Sequence, residues 1–128
     1  MFRVFPTVAE AIEVHRLVIQ EYGGLDGIRD KGMLESAVFR PQTGYYQDIF
    51  EEAAALMESL AHNQAFVDGN KRVAFVLTDS MLRANGFFLD VEPPEAHAFI
   101  EGSANKKEGR FKLIVEWIKS VVKPLDKK

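Results

Sequence analysis

The chain has 128 residues, with 16 Lys and Arg against 19 Asp and Glu, and this length predicts a single domain over residues 1–128. The net charge of -3 argues against direct nucleic-acid binding, and a sequence without cysteine excludes disulfides and thiolate metal sites. No apolar run approaches the roughly 20 residues of a membrane span, and residues 1–6 are too short for a signal peptide, so we expect a cytoplasmic protein that does not contact a membrane.

Two helices are predicted in the first third of the chain. Thr7 can cap the first, because Glu10 follows at the capping-box spacing, and Gly23 ends it. The second begins after Asp30 and ends before Pro41, since the residue preceding a proline avoids helical geometry. Residues 42–47 then have the composition of an exposed loop or a short hairpin.

Two longer helices follow. The third begins at Asp48, where Glu51 again suggests an N-cap, and its alanine-rich apolar sequence predicts a central position. The fourth spans about residues 70–84, and Asn85 followed by Gly86 ends it. The face of the fourth helix predicted from the apolar spacing consists of Val73, Val76, Leu77, Ser80, Met81 and Ala84.

The remainder of the chain contains shorter elements. Residues 87–91 can form a short extended piece, Pro93 opens a further helix, and residues 102–109 form a polar loop. A final apolar helix extends to Pro124, and the short basic tail over residues 123–128 is interpreted as solvated. The whole pattern predicts a compact all-α fold in which two long helices meet at the loop of residues 63–72.

That loop concentrates groups suited to a polyanion. A helix N-terminus offers unpaired N–H groups, Gly69 lets the backbone approach a ligand, and Lys71 and Arg72 add cationic donors. Asp68 supplies the oxygen ligand that Mg²⁺ prefers, whereas calcium-loop and P-loop signatures are missing from the sequence. The alternative is an ordinary turn between helices, capped by Asp68 or Asn70. Two cations in the first turn oppose the helix dipole, and a bound polyanion would reverse that penalty.

Residues 66–72, Phe-Val-Asp-Gly-Asn-Lys-Arg, resemble the signature of the Fic/Doc superfamily in the form used by Doc (death-on-curing) toxins. The resemblance extends to residues 21–30, 34–37 and 40–42 and to Phe87 after Asn85-Gly86. It implies an all-α fold, a loop that holds an adenine nucleotide, and modification of hydroxyl groups on proteins.

The resemblance also assigns roles to single residues. The family signature begins with a histidine and a proline, whose positions here are occupied by Gln64 and Ala65, and the histidine is thought to deprotonate the target hydroxyl. Asp68 matches the acidic residue linked to the metal and to that histidine. The residues that match the anion-binding turn and the phosphate-binding arginine are Gly69, Asn70, Lys71 and Arg72.

Lys71 resembles the Doc form, which transfers the terminal phosphate of ATP to elongation factor Tu, whereas many AMP-transferring relatives have glycine there. Phe75 likewise replaces a second arginine of the AMP-transferring branch. The resemblance therefore implies a toxin that is a protein kinase using ATP and Mg²⁺, with a separate Phd-type antitoxin. The alternatives are an AMP transferase and a catalytically dead homologue that binds nucleotide or antitoxin.

Gln64 removes the base, and general-base help is typically worth about 10²–10⁴-fold, so the chain is predicted to be nearly inactive. Gln64 is either an inactivating change or a native feature of a degenerate homologue. His62 is interpreted as a helix-end residue, and His15 and His97 as structural residues away from the loop. Tyr45 and Tyr46 fall where the family has a flap that docks the target segment.

Overall fold

The computed structural model describes residues 2–126, and it confirms the predicted all-α fold except for one small two-stranded sheet. No helix within residues 2–126 combines the length and apolarity needed to cross a membrane. The predicted basic tail ends on Lys127 and Lys128, which lie outside the described residues.

The first two helices begin and end where local capping chemistry predicts. Helix α1 (Val8–Tyr22) begins at a complete capping box formed by Thr7 and Glu10, and it ends at Gly23, whose φ is 84°. Helix α2 (Lys31–Phe39) begins at Asp30, whose carboxylate accepts a hydrogen bond from the N–H of Met33. A short 3-10 turn (Arg40–Gln42) contains Pro41 and follows α2 directly.

Helix α3 (Ile49–His62) is the central element, as predicted, and packs most extensively against helix α4 (Asn70–Ala84) and a C-terminal helix. Its alanines allow close approach of its neighbours, and nine of its residues are buried. The predicted buried face of α4 is partly wrong, because Val76, Ser80 and Ala84 are exposed. The buried residues of α4 are Val73, Ala74, Leu77, Thr78, Met81 and Leu82. The buried face differs from the predicted one because α4 also packs against α1 and against the strand that follows α4.

The C-terminal third contains the one error in element type. Strand β1 (Phe87–Leu89) and helix α5 (Pro93–Ser103) are followed by helix α6 (Arg110–Val121), which ends before the predicted Pro124. Residues Val122–Pro124 instead form strand β2, antiparallel to β1, with Leu89 opposite Val122. A β-branched valine fits such an extended edge, and the pairing partner lies more than thirty residues away.

Candidate functional site

The loop between α3 and α4 is fixed by an extended segment that follows α1. Residues Ile28 and Phe66 form an antiparallel bridge. The N–H of Val67 donates to the carbonyl of Gly27 at 3.0 Å, and the guanidinium Nε of Arg29 donates to the carbonyl of Gln64 at 2.7 Å. Backbone groups that would be unpaired in a free loop are therefore satisfied, and these bonds attach the loop to the segment after α1.

The centre of the loop also contacts side chains of the neighbouring helices. The buried ring of Phe66 stacks on His15, with ring centroids 4.0 Å apart and planes 5° from parallel. His15 Nε2 donates to the carbonyl of Asp68 at 2.9 Å, so the expectation that His15 lies away from the loop is wrong. The side-chain amide of Asn70 bonds both the N–H and the carbonyl of Phe66, each at 3.0 Å. Asn70 thus fastens the start of α4 to the loop.

Helix α4 begins at the loop with a half-buried N-terminal end. Its N-cap is Gly69 in the left-handed conformation (φ 79°), which supplies no side chain to satisfy the N–H groups of the first turn. Lys71 and Arg72 lie in that same turn, so their charges add to the helix dipole. The guanidinium carbon of Arg72 lies 4.0 Å from the centroid of the Tyr22 ring, a cation–π contact that places the charge over the end of α1.

The Asp68 carboxylate is oriented by backbone donors. One oxygen accepts the N–H of Gly69 at 3.0 Å, and the other accepts the N–H of Leu25 at 3.2 Å. Gly24 lies so near that a Cβ built on it would be 2.8 Å from the second oxygen. Each oxygen retains acceptor capacity, because a carboxylate has about four lone-pair sites. Asp68 can therefore contribute one oxygen ligand to a cation.

The predicted nucleotide-binding and catalytic residues share one polar cavity of about 350 Å³. Its walls are Ala61, Gln64, Val67, Asp68, Gly69, Asn70, Lys71, Arg72, His97 and Glu101. A second, more apolar cavity of about 540 Å³ shares Lys71, Arg72 and His97 with the first. Its remaining walls are Tyr22, Phe75, Val76, Pro93 and Pro94. The site is therefore a polar chamber beside the loop with an apolar chamber next to it.

Gln64 is exposed on the wall of the polar cavity, in the left-handed region with φ 54°. Such a backbone conformation is uncommon for a residue other than glycine, and here the Arg29 hydrogen bond to the Gln64 carbonyl helps to hold it. The side chain at position 64 therefore belongs to the same cavity as Lys71 and Arg72. It carries an amide, which cannot accept a proton near neutral pH.

Helix α5 supplies two cavity residues that the sequence analysis did not place there. His97 was expected away from the loop, and this is wrong, because it lines both cavities. Glu101 follows one helical turn later and lines the polar cavity. Their i,i+4 spacing indicates a shared helix face, but nothing in the sequence indicates that this face meets the loop.

His62 lines neither cavity. Its Nε2 lies 3.1 Å from the Ser103 hydroxyl, which itself donates to the carbonyl of Ile100, so the imidazole donates to Ser103. Burial, followed by the positive charges of Arg110 and Lys71, lowers the pKa of His62 to about 4. This agrees with the interpretation of His62 as a helix-end residue.

The two tyrosines of the expected flap lie outside both cavities. The hydroxyl of Tyr46 accepts a hydrogen bond from Nε of Arg40 at 2.7 Å, and its ring packs on Phe111 with centroids 5.5 Å apart. Tyr45 is exposed next to it. A docking role for this loop stays a prediction, but Arg40 also bonds Glu58 at 3.0 Å, which ties the loop to α3.

The chain is similar to known proteins over the region that contains this loop. A protein-family model described as the Fic/DOC family matches residues 5–82. Toxin Doc of Mycolicibacterium smegmatis is 47% identical over 73 residues, which are 53% of this chain and 56% of that protein. Protein kinase doc of Escherichia phage P1 is 37% identical over 99 residues, which are 74% of this chain and 78% of that protein. The matched family region includes the loop and most of both central helices, and the chain therefore belongs to the Fic/DOC family.

Proposed function

We propose that this chain is a Doc-type toxin of a toxin–antitoxin module, which transfers the γ-phosphate of ATP to a hydroxyl of elongation factor Tu. The observation that carries the proposal is the single polar cavity shared by Gln64, Asp68, Lys71 and Arg72 at the N-terminus of α4. The names of the two similar proteins, a toxin and a protein kinase, support the same function.

The residues of the cavity fit a nucleotide with its magnesium ion. Within residues 2–126 no cluster of three His, Cys, Asp or Glu side chains could hold a metal. Mg²⁺ is commonly bound by one or two carboxylates together with substrate phosphates, and Asp68 provides one such carboxylate. When bound, ATP would supply the phosphoryl group, and Mg²⁺ would neutralise part of the charge on the phosphates. The N–H groups of Asn70 and Lys71, with the Lys71 and Arg72 side chains, would hold the phosphates. The resemblance also assigned the N–H of Gly69 to them, but that group donates to Asp68 at 3.0 Å.

The proposed reaction depends on the chain in two ways. Phosphoryl transfer relies mostly on positioning and charge stabilisation, which the fixed loop and the cations of α4 provide. The remaining task is to take the proton of the attacking hydroxyl, and the family assigns it to the residue at position 64. Because Gln64 cannot do this, we propose that the chain binds ATP but transfers phosphate very slowly.

The test is transfer of label from γ-labelled ATP to elongation factor Tu by the chain and by Gln64→His. We expect the histidine variant to label the factor about 10²–10⁴-fold faster, because it restores a general base at the wall of the polar cavity. Gln64→Asn is the matched control, since it alters the same position without adding a base, and it should remain as slow as the parent.

Other outcomes separate the rival functions. Label transferred only from α-labelled ATP would show that the chain is an AMP transferase and not a kinase. A folded Gln64→His variant that binds ATP and transfers neither label would indicate a homologue that only binds its ligands. If neither protein binds ATP, the proposed nucleotide site is wrong. The loop would then be an ordinary turn between two helices.

A further inference from the structure

Among the three histidines, His97 is the one whose ring is unpartnered within the described residues. His15 bonds the carbonyl of Asp68, and His62 bonds the hydroxyl of Ser103. The Nδ1 atom of His97 is buried without a hydrogen-bond partner. A buried polar atom left unpaired is destabilising, so the described fold gains no hydrogen bond from this imidazole.

The position of His97 brings its side chain to both cavities. The residue lies on α5, opposite the first turn of α4, and it forms part of the wall of both cavities. Lys71 and Arg72 are the other residues that both cavities share. A ligand that extends from one chamber into the other must therefore pass the imidazole and the two cations together.

The two chambers differ in the chemistry they offer. The polar one presents N–H groups and cations, which suit phosphates. The other is walled by Tyr22, Phe75 and the Pro93–Pro94 pair, which suit a flat apolar group of the size of a nucleobase. Glu101 also lines the polar chamber, but its carboxylate would repel a polyanion, so His97 is the polar side chain of α5 that can contact the ligand.

We propose that His97 binds the sugar–phosphate portion of a nucleoside triphosphate whose phosphates occupy the polar cavity and whose base occupies the apolar one. This inference rests on the proposed function, because it requires the α4 turn to hold the phosphates. It adds a binding residue that lies outside the loop signature. His97 acts by donating a hydrogen bond from Nε2 to an oxygen of the ligand, since Nδ1 is buried and out of the ligand's reach.

The experiment measures binding of ATP and of inorganic tripolyphosphate, each with Mg²⁺, to the parent chain and to His97→Leu. We expect His97→Leu to weaken ATP about five- to tenfold, the effect of one lost hydrogen bond to a ligand, and to weaken tripolyphosphate much less. The melting temperature should stay the same or rise, because leucine removes the unpaired nitrogen. Glu95→Gln is the matched control, since Glu95 is exposed on the same helix and lines neither cavity.

A structural role for His97 would give the opposite pair of results, a lower melting temperature with unchanged ATP affinity, and would overturn the inference. So would equal weakening of ATP and tripolyphosphate, since the contact would then lie on the terminal phosphates. Should His97→Leu destabilise the fold, His97→Gln, which retains a side-chain donor, must recover at least part of the ATP affinity. If the parent binds neither compound while correctly folded, the proposed function fails as well. If the parent binds both compounds and His97→Leu binds them equally well, the inference fails but the proposed function stands.

Discussion

Asp68 owes its position to the absence of a side chain on a neighbouring residue. A Cβ on Gly24 would lie 2.8 Å from the carboxylate oxygen that the N–H of Leu25 contacts, so only glycine leaves room for this arrangement. Gly23 also has a positive φ, but a Cβ there would meet nothing within 4 Å. The two adjacent glycines thus share a backbone requirement and differ in their contact with Asp68.

This difference makes Gly24→Ala and Gly23→Ala a matched pair. Each should lose about 1–2 kcal/mol of unfolding free energy, because alanine disfavours positive φ. Gly24→Ala should in addition displace the Asp68 carboxylate and weaken binding of ATP with Mg²⁺, whereas Gly23→Ala should bind as the parent does. The measurements are urea unfolding and ATP titration with and without Mg²⁺. Equal loss of ATP affinity in both variants would show that Asp68 is not what the Gly24 substitution disturbs.

At the scale of elements, helix boundaries follow from local chemistry and were predictable. Thr7, Asp30 and Asp48 each accept a hydrogen bond from the third residue of the helix they precede, as their spacing in the sequence indicates. The predictions that were wrong concern residues whose structure depends on distant parts of the chain. Strand β2 exists because β1 lies beside it, and Val76 is exposed because α5 leaves a cavity there.

The contact between the end of α3 and α5 has a consequence for stability against acid. The pKa of His62 is lowered from 6.5 to about 4. Between these two pH values the unfolded chain binds a proton at this histidine and the folded chain does not. The unfolding free energy should therefore fall as the pH drops from about 6.5 to about 4. His62→Gln, compared by urea unfolding at pH 8 and pH 5, should lose about 1 kcal/mol of that fall after discounting for the partial exposure of the ring. Equal falls in both proteins would contradict this assignment.

For the whole molecule, the site is assembled from segments that the sequence separates. The family resemblance predicted which loop residues share the polar cavity, because they are contiguous and open one helix. It could not predict Tyr22, the Pro93–Pro94 pair or His97, because their convergence depends on how α1 and α5 pack against α4. Packing directions of helices are a tertiary property that the amphipathic pattern of a single helix does not determine.

The surface away from this site offers a place for the proposed Phd-type antitoxin. A cavity of about 450 Å³ lies between the N-terminal segment and α2, lined in part by Phe5, Val8 and Val38. Phe39 at its wall is 60% exposed, and an exposed apolar group of this size is typical of a surface that a partner covers. We expect an antitoxin segment to cover this face, an expectation that rests on the proposed toxin–antitoxin function.

Co-expression with a Phd-type antitoxin and co-purification tests this placement. Phe39→Asp should abolish capture of the antitoxin, because it puts a charge where an apolar side chain would be buried. Phe2→Asp is the control, since Phe2 is exposed and is not part of the wall of this cavity, and it should retain the antitoxin. Capture that survives Phe39→Asp would place the antitoxin on another surface.

The bridge between Ile28 and Phe66, described above as a support for the loop, also bears on the order in which the protein is made. The two residues lie 38 positions apart, and the amides of Arg29 and Val67 are paired only when both segments are present. A nascent chain that has emerged only through α3 contains the supporting segment and none of the loop. Closing this contact brings together segments that are far apart in the chain, which is entropically slow, and synthesis of residues 64–72 must precede it. Until then the emerging polypeptide lacks the loop that we propose holds the phosphates.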